Sequence, residues 1–304
     1  MAMLMTGDKP AENLKSSTLT RSRAFLQDTG RRPCLAVVLV GADPAGREYA
    51  GRTASDCDGC EILCRTVLLS EATPTASVLH VIKSLNADPV VDGIIVQMPV
   101  PGRPDNEVDR IKYAIDPMKD VDCLNPLTMG RVWTGNGTNV RLGLLKPCTP
   151  AAVMYLLDYY KPMTLSGRTA VVVGRSRHVG RPMAELLTAA DMTVTLCHTG
   201  TRDLEWHTAN ADLIVTAAGV PNLIKSHMVR RGAIVIDVAM NVFPDERLHG
   251  DCSIFPGESP ADMAVAITPV PNGVGPVTRA MLMANVMTAA LNRQLAVQAV
   301  NWTP

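Results

Sequence analysis

The chain contains 304 residues, a length that predicts two domains of ordinary size. Hydrophobic residues make up 47% of the chain and charged residues 19%, which is enough apolar material for sizeable cores. The formal net charge of zero and the aromatic content of 4% argue against the basic and stacking surfaces of nucleic-acid-binding proteins, so no nucleic-acid partner is expected.

The N-terminal segment does not resemble a targeting sequence. Charged residues and a proline interrupt its first 17 residues, which excludes the apolar stretch of a signal peptide. Asp8 and Glu12 are untypical of an organelle transit peptide, so we expect a cytoplasmic protein. No run approaches the ~20 apolar residues of a membrane span, and no membrane partner is expected.

Cysteines are scattered along the chain, and their spacing does not predict a disulfide framework. Cys57, Cys60 and Cys64 form one local cluster. Such a pattern suits a metal or redox site, but no second Cys/His pair completes a four-ligand set. We therefore expect buried thiols and no metal.

The first half of the chain alternates strands and helices. The apolar runs at residues 35–40 and 92–101 are typical of buried parallel strands, and residues 62–69 are predicted as a further strand. Amphipathic helices are predicted at 46–60 and 73–87. This alternation predicts an α/β fold with a mostly parallel sheet. Residues 102–148 read as loops with one short helix at 108–114.

A second α/β domain is predicted after a crossover helix at 149–160, with Thr149 as its N-cap and Pro150 at its first position. Strands are predicted at 169–174, 193–198, 211–219, 233–240 and 263–271, and a helix at 181–191. A long helix at 277–295 is expected to dock on the first domain through Met281, Leu282, Met287 and Leu291. The predicted domains are 1–148 with 277–304, and 149–276.

The segment AVVVGRSRHVGRP has the features of a dinucleotide site. A buried strand leads into Gly174 and Gly180, where a backbone without side chains and a helix N-terminus suit a phosphate. The spacing departs from Gly-x-Gly-x-x-Gly, so an ordinary strand–turn–helix remains an alternative. The next strand ends without an acidic residue, while Arg175 and Arg177 lie in the loop. This charge pattern favours NADP over NAD. For Arg177 and His178, a solvated loop face is the alternative.

Several segments together resemble the methylenetetrahydrofolate dehydrogenase/cyclohydrolase family, a group of bifunctional enzymes of one-carbon folate metabolism. They are VGADPAGREY, DGIIVQMPVP, KDVDCLNP, KPCTP, VVVGRSRHVGRPMAELL, TVTLCHTGT, GAIVIDVAMN and ITPVPNGVGPVT, in the family's order across residues 35–292. The resemblance implies an N-terminal catalytic domain, a C-terminal Rossmann-type NADP-binding domain and a folate cleft between them. It also implies a homodimer that oxidises 5,10-methylenetetrahydrofolate with NADP and then hydrolyses the methenyl product.

The resemblance also implies the residues of the site. The expected catalytic residues are Tyr49, Thr53, Gln97 and Asp122. The reduced folate is expected to contact Tyr49, Gln97, Asp122, Pro271, Gly273 and Gly275. NADP is expected to bind Gly174, Arg175, Ser176, Gly180, His198, Thr199, Gly219 and Asn241. For Asp122, a loop cap is the alternative role.

Thr53 is the most consequential departure from the family pattern. The family carries Tyr-x-x-x-Lys on the first-domain helix, whereas this chain has Thr53 four residues after Tyr49. The lysine is the family's main acid/base group, and a hydroxyl does not replace it at working pH. Arg52 is adjacent, but about 100° away around the helix, and it does not exchange protons. We expect hydride transfer to survive better than hydrolysis.

Milder departures lie near the same site. Gly46 stands where a serine is usual, and Ala152, Ala239 and Asn272 stand where glycines are common. A positive φ at these positions would strain alanine more than asparagine. The N-terminal helix is expected to be shorter or less regular than the family's.

Three hypotheses follow. The first is an NADP-dependent methylenetetrahydrofolate dehydrogenase with a weak cyclohydrolase. The second is a non-catalytic homologue that binds folate or NADP, for example as the dimer partner of an active relative. The third is a Rossmann-type oxidoreductase for another substrate. Gln97, Asp122 and the Gly273 loop favour folate over the third, while Thr53 sustains the second.

Overall fold

The computed structural model describes residues 2–41, 44–134, 143–242 and 248–300, and the chain divides into two compact units. The first unit comprises residues 13–148 and 279–304, and the second comprises 1–12 and 149–278. The division at residues 148 and 149 coincides with the predicted crossover. Residues 1–12, expected in the first domain, group with the second unit, because strand β1 (Met3–Leu4) extends its sheet.

The first unit contains a three-stranded parallel sheet. Its strands are β2 (Cys34–Val40), β3 (Leu63–Leu69) and β4 (Gly93–Val96), in the order β3-β2-β4. Every residue of the central strand β2 is buried, as the unbroken apolar run predicts. The parallel sheet expected from the alternation of strands and helices is confirmed.

Between residues 8 and 134, the described part of the chain has five helices: α1 (Asp8–Thr29), α2 (Pro44–Gly59), α3 (Thr75–Ala87), α4 (Asp105–Tyr113) and α5 (Pro126–Trp133). The predicted helices at 46–60, 73–87 and 108–114 correspond to α2, α3 and α4. Helix α5 was not predicted; it begins where the Asn125 side chain accepts a hydrogen bond from the Leu127 amide. Helix α1 is 22 residues long. Residues 135–142 of the predicted loop region lie outside the described residues.

The second unit is built on a six-stranded parallel sheet. Its strands are β1, β5 (Thr169–Val173), β6 (Thr193–Cys197), β7 (Leu213–Thr216), β8 (Ile234–Asp237) and β11 (Ala266–Ile267). Their order is β1-β11-β8-β7-β5-β6. A short antiparallel pair, β9 (Asn241–Val242) and β10 (Leu248–His249), follows β8.

The helices of the second unit are α6 (Cys148–Tyr160), α7 (Gly180–Thr188) and α8 (Leu204–Ala209). Helix α6 is the predicted crossover helix, but it begins at Cys148, so Thr149 lies inside it and is not its N-cap. Helix α7 follows the glycine-rich loop as predicted. Helix α8 is only 6 residues long and was not predicted, because so short a segment shows little periodicity.

The last helix, α9 (Val274–Val300), begins in the second unit and continues into the first. Leu282, Met283 and Val286 join the core under β2, which confirms the predicted docking on the first unit. By length and composition, 274–296 would suffice to cross a membrane, contrary to the estimate from apolar runs. However, 56% of its most apolar 18-residue stretch is buried inside the protein, as is typical of a core helix.

Candidate active site

Tyr49 and Thr53 lie one turn apart on helix α2, as their spacing predicts. Thr53 is buried, with 2% of its surface exposed. Its Oγ1 donates a hydrogen bond of 2.9 Å to the Tyr49 carbonyl oxygen in the preceding turn. The hydroxyl group is therefore already hydrogen-bonded within the helix.

Arg52, the nearest cation in sequence to Thr53, points away from this face. Its Nη2 lies 2.5 Å from Glu48 Oε1, and both side chains are exposed. This ion pair joins neighbouring turns on the solvent side of α2. The exposure of Arg52 beside the buried Thr53 agrees with different faces of the helix, and its guanidinium is paired with Glu48.

Gln97 follows strand β4 directly, at the carboxyl end of the first sheet. Its backbone N–H donates to the Val38 carbonyl oxygen at 2.9 Å, which continues the pairing with β2. Its side-chain Nε2 donates to the Met98 carbonyl oxygen at 3.1 Å. The side chain is half-buried, so its amide oxygen and remaining N–H serve as further hydrogen-bonding groups.

Asp122 lies in the loop that precedes α5, and neighbouring groups control its charge. Burial, and then the negative charge of Asp120, raise the pKa of Asp122 to about 6, while a hydrogen bond with the Cys148 thiol acts in the opposite direction. Asp120 is the residue that caps this loop, since its carboxylate accepts the amides of Leu124 and Asn125 at 3.1 and 2.8 Å. The capping role considered for Asp122 thus belongs to Asp120.

Asn285 of α9 supports this loop and was not predicted from the sequence. Its Nδ2 donates to the carbonyl oxygens of Val121 and Lys146, both at 2.8 Å. Asn285 is buried, so these bonds fix the backbone next to Asp122 in a dry environment. An asparagine inside an apolar helix was the only signal that the sequence offered.

The pKa of Tyr49 depends on charged groups from two other segments of the first unit. Burial raises the pKa of Tyr49 well above its ordinary value, and the negative charge of Asp122 adds to this effect. The positive charge of Arg279 acts in the opposite direction. Tyr49, Asp122 and Arg279 therefore share one electrostatic environment within the first unit, and the phenol stays protonated at neutral pH.

The predicted cofactor residues gather at the carboxyl edge of the second sheet. Strands β6 and β7 lie on opposite sides of β5, so the strand order reverses between β5 and β7. Ligands of open α/β sheets bind at such a switch point. Gly174 ends β5 there with φ +121°, and a Cβ at this position would clash with the carbonyl oxygen of Ala217, after β7.

Gly180 begins helix α7 and packs against the same loop. A Cβ on Gly180 would clash with the carbonyl oxygen of Gly174, so glycines are needed at both positions. Ser176 Oγ accepts the amides of Val179 and Gly180 at 3.1 and 3.3 Å. Arg175 and Ser176 are exposed in this loop, where a phosphate group can reach them.

His198 and Thr199 follow β6 at the same edge. The His198 amide donates to Thr201 Oγ1 at 2.8 Å, and His198 Nδ1 accepts the Gly200 amide at 3.0 Å. These bonds shape a tight turn in which Thr199 is exposed. The turn lies beside the Gly174 loop because β6 pairs with β5 along its length.

Gly219 and Asn241 are linked by a residue that the sequence analysis missed. Asp251 is fully buried, and its carboxylate accepts the amides of Ala218 and Val220, which flank Gly219, at 2.7 and 2.8 Å. The same carboxylate accepts Asn241 Nδ2 at 3.2 Å. Gly219 itself has φ +70°. Asp251 thus fixes two predicted cofactor residues relative to each other.

The predicted folate loop follows β11 and belongs to the second unit. Pro271 and Gly275 are exposed, whereas Gly273 is buried and a Cβ there would clash with the Pro269 carbonyl oxygen. Asn272 has φ +71°, which asparagine tolerates. Ala239 and Ala152 are not among the residues with positive φ, so the strain considered for alanine at Ala239 does not arise.

No group of three or more metal-ligating residues occurs in the parts of the chain that the structure describes. Cys57 and Cys60 are fully buried and Cys64 is half-buried, all as free thiols. Their predicted role as packed thiols agrees with this placement.

Comparison with known proteins settles the family. Residues 5–122 match the tetrahydrofolate dehydrogenase/cyclohydrolase catalytic domain, and residues 147–294 match the NAD(P)-binding domain of the same family. The chain belongs to the tetrahydrofolate dehydrogenase/cyclohydrolase family. Tyr49, Thr53, Gln97 and Asp122 fall within the catalytic-domain match, and the glycine-rich loop falls within the NAD(P)-binding match.

Full-length relatives agree with this assignment. The bifunctional protein FolD of Acidithiobacillus ferrooxidans is 43% identical over 292 residues, covering 96% of this chain and 97% of that protein. The structure of the bifunctional FolD dehydrogenase/cyclohydrolase from Campylobacter jejuni superposes with a TM-score of 0.88 at 38% identity, covering 96% of this chain and all of that one. The Trypanosoma brucei enzyme, solved with NADP and an inhibitor, gives a TM-score of 0.85 at 30% identity and covers 97% and 98%.

Proposed function

We propose that this protein is an NADP-dependent 5,10-methylenetetrahydrofolate dehydrogenase in which hydrolysis of the methenyl product is slow. The observation that carries this proposal is Thr53, whose buried hydroxyl is bonded to the Tyr49 carbonyl oxygen within α2. Family membership supplies both activities by name. The residues at position 53 and around it decide how the two activities are balanced.

The second sheet fits a dinucleotide with a 2′-phosphate. Gly174 and Gly180 leave the backbone open at the switch point, and the positive end of the α7 helix dipole lies at the same loop. Residues 198–202, after β6, include Arg202 and no carboxylate, which favours NADP over NAD. The T. brucei relative bound to NADP supports the same choice. When bound, NADP supplies the hydride acceptor.

The oxidation requires positioning more than proton transfer. The methylene carbon between the two folate nitrogens loses a hydride to the nicotinamide ring, giving a methenyl cation and NADPH. In the first unit, the Asp122 carboxylate is suited to accept hydrogen bonds from the amino group and ring nitrogen of the pterin. Gln97 offers an amide at the end of β4, and Tyr49 offers an aromatic ring.

The hydrolysis makes a different demand. Water adds to the methenyl carbon, one carbon–nitrogen bond breaks to give 10-formyltetrahydrofolate, and a proton is released. A base must accept protons during these steps, and a lysine amine near neutrality does this well. The Thr53 hydroxyl already donates to a backbone oxygen and has no such basicity. Slow hydrolysis follows.

The test uses 5,10-methylenetetrahydrofolate as substrate and compares the formation of NADPH from NADP with the formation of NADH from NAD. We expect NADPH to form, with a kcat/KM at least about tenfold higher for NADP. Calorimetric titration with tetrahydrofolate is run in parallel. Folate binding without NADPH formation would instead support a catalytically silent homologue, the second candidate that Thr53 favours. Binding of NADP without folate would contradict both.

We also propose a homodimer in the cytoplasm. Strand β3 is an edge strand of its sheet and exposes Leu63 and Leu68 by 44% and 57%, which supports association with a second copy. The free thiol state of the eight cysteines is consistent with a reducing compartment. Sedimentation analysis tests the dimer, and fractionation of cells expressing the tagged protein tests the location.

A further inference from the structure

Asp56 is a buried acid on the same helix as the candidate catalytic residues. Only 7% of Asp56 is exposed. Its Oδ1 accepts a hydrogen bond from Lys15 Nζ of α1. Its Oδ2 is buried and has no hydrogen-bond donor among the described residues. Buried carboxylates without full compensation are costly, so this oxygen indicates a structural or functional requirement.

A second cation near that oxygen comes from helix α9. Arg279 Nη1 lies 3.6 Å from Asp56 Oδ2, too far for a hydrogen bond but within ion-pair distance. Of the Arg279 side chain, 29% is exposed, so the side chain is not sealed from solvent. A group in this position can contact a ligand without leaving Asp56.

Helix periodicity places Arg279 beside the site. Tyr49, Thr53 and Asp56 stand at i, i+4 and i+7, and so occupy one face of α2. Arg279 contacts that face at Asp56. One turn later in α9, Met283 Sδ lies 3.6 Å from Cys57 Sγ, and both residues belong to the same buried core. The base of Arg279 is therefore held by packing.

The two cations on Asp56 act at different ends of the helix face. Burial raises the pKa of both Tyr49 and Cys60. The charge of Arg279 acts against this rise at Tyr49, and the charge of Lys15 acts against it at Cys60. The Lys15 carbonyl oxygen also lies 3.9 Å from Cys60 Sγ. Arg279 thus acts on Tyr49, whereas Lys15 acts on Cys60, eleven residues further along the chain.

We propose that Arg279 supplies from α9 the fixed positive charge that position 53 does not supply from α2, and that Asp56 holds its guanidinium beside Tyr49. This inference rests on the proposed dehydrogenase function, because the charge is assigned to the binding and orientation of the folate. A guanidinium stays protonated, so it provides charge and hydrogen-bond donors but accepts no proton. Oxidation supported by Arg279 with slow hydrolysis is the consequence.

The test uses Arg279→Ala, Arg279→Lys, and two matched variants. Lys15→Met removes the other cation on Asp56, and Arg65→Ala removes an arginine of the same unit that pairs with Asp88. For each, kcat and KM for NADPH formation and the Kd for tetrahydrofolate are measured, with circular dichroism as a check of folding. Arg279→Ala is expected to lower kcat/KM roughly tenfold or more, with most of the activity restored in Arg279→Lys. Lys15→Met and Arg65→Ala are expected to stay within about twofold.

Three results would overturn the proposal. The first is a folded Arg279→Ala variant with kcat/KM and tetrahydrofolate Kd within about twofold of the parent. The second is a loss in Lys15→Met that equals or exceeds the loss in Arg279→Ala. The third is a failure of Arg279→Lys to restore activity in a folded protein. If the parent forms no NADPH, the proposed function fails on its own. The Kd of Arg279→Ala for tetrahydrofolate then decides this inference. A tenfold weaker affinity supports the inference, and an unchanged affinity overturns it.

Discussion

Thr53 Oγ1 donates its hydrogen to the Tyr49 carbonyl oxygen at 2.9 Å, so the polar group at position 53 is used within the helix that carries it. A lysine at this position would extend beyond the helix surface and present a titratable amine on the Tyr49 side. The proposed slow hydrolysis rests on this difference between a hydrogen-bonded hydroxyl and a free amine.

Introducing the amine should restore hydrolysis. In Thr53→Lys, we expect the rate of methenyltetrahydrofolate consumption above the buffer rate to rise roughly tenfold or more, because a positioned acid/base contributes at least that much. The measurement is the decay of methenyl absorbance with purified protein. Thr53→Met is the matched control, since it adds a long side chain without an amine. An equal rise in both variants, or none in Thr53→Lys, would show that position 53 does not limit hydrolysis.

Asp122 should make the protein less stable above its raised pKa. Burial and Asp120 raise this pKa to about 6, from an ordinary value of about 4, so the native state binds the proton more tightly than the unfolded state does. The free energy of unfolding therefore falls as the pH rises between those two values. At pH 8, we expect Asp122→Asn to be more stable than the parent by on the order of 2 kcal/mol.

Urea denaturation at several pH values measures this effect. The advantage of Asp122→Asn should shrink as the pH falls from about 6 to about 4, because the native carboxyl group takes up its proton in this range. Below about 4 the carboxyl group becomes protonated in both states. Asp58→Asn, at an exposed position of the same unit, should show no comparable trend. Tetrahydrofolate affinity should fall in Asp122→Asn, because a neutral amide accepts fewer hydrogen bonds than a carboxylate. A pH-independent difference in stability would contradict the assigned cause.

Gly174 should be essential for the cofactor. In Gly174→Ala, the new Cβ meets the Ala217 carbonyl oxygen, and φ +121° is unfavourable for alanine. We expect the Kd for NADP to rise roughly tenfold or more, while tetrahydrofolate binding is kept. Gly232→Ala provides the control, because it also has a positive φ, +84°, but no heavy atom within 4 Å of its Cβ. Equal losses in both variants would assign the effect to backbone strain alone.

Asp251 should stabilise the loop that carries Gly219. In Asp251→Asn, an amide group with its own N–H donors replaces an acceptor that serves the Ala218 and Val220 amides and Thr216 Oγ1. We expect a loss of about 2–3 kcal/mol in the free energy of unfolding and weaker NADP binding. Urea denaturation and NADP titration measure the two effects. An exposed acid, Asp262, serves as the control when changed to asparagine, and equal stability of the two variants would refute the assigned role.

Local patterns predicted the main elements of this fold. The unbroken apolar runs located β2, β4 and the strands of the second sheet, and helical spacing located α2, α3 and α9. Helices α5 and α8 were missed because 8 and 6 residues show too few turns for a clear period. The pairing of β1 with β11 joins residues 3 and 266, a contact that no local pattern predicts.

For the site, too, local sequence patterns predicted residues close in sequence but not partners from distant segments. The α2 spacing placed Tyr49 and Thr53 on one face, and the glycine pattern located the cofactor loop. Distant partners were not predictable: Asn285 supports a loop at residue 121, and Arg279 reaches Asp56 from the far end of the chain. Their roles depend on which helices pack together, and that arrangement is set by the whole core.

The most direct measurement mixes the purified protein with 5,10-methylenetetrahydrofolate and NADP, and follows NADPH and methenyltetrahydrofolate in the same sample. We predict that NADPH appears and that methenyltetrahydrofolate accumulates in nearly equal amount, because hydride transfer is faster than hydrolysis. Consumption of methenyltetrahydrofolate faster than in buffer would contradict the role given to Thr53. The absence of NADPH from a protein that binds tetrahydrofolate would contradict the dehydrogenase itself.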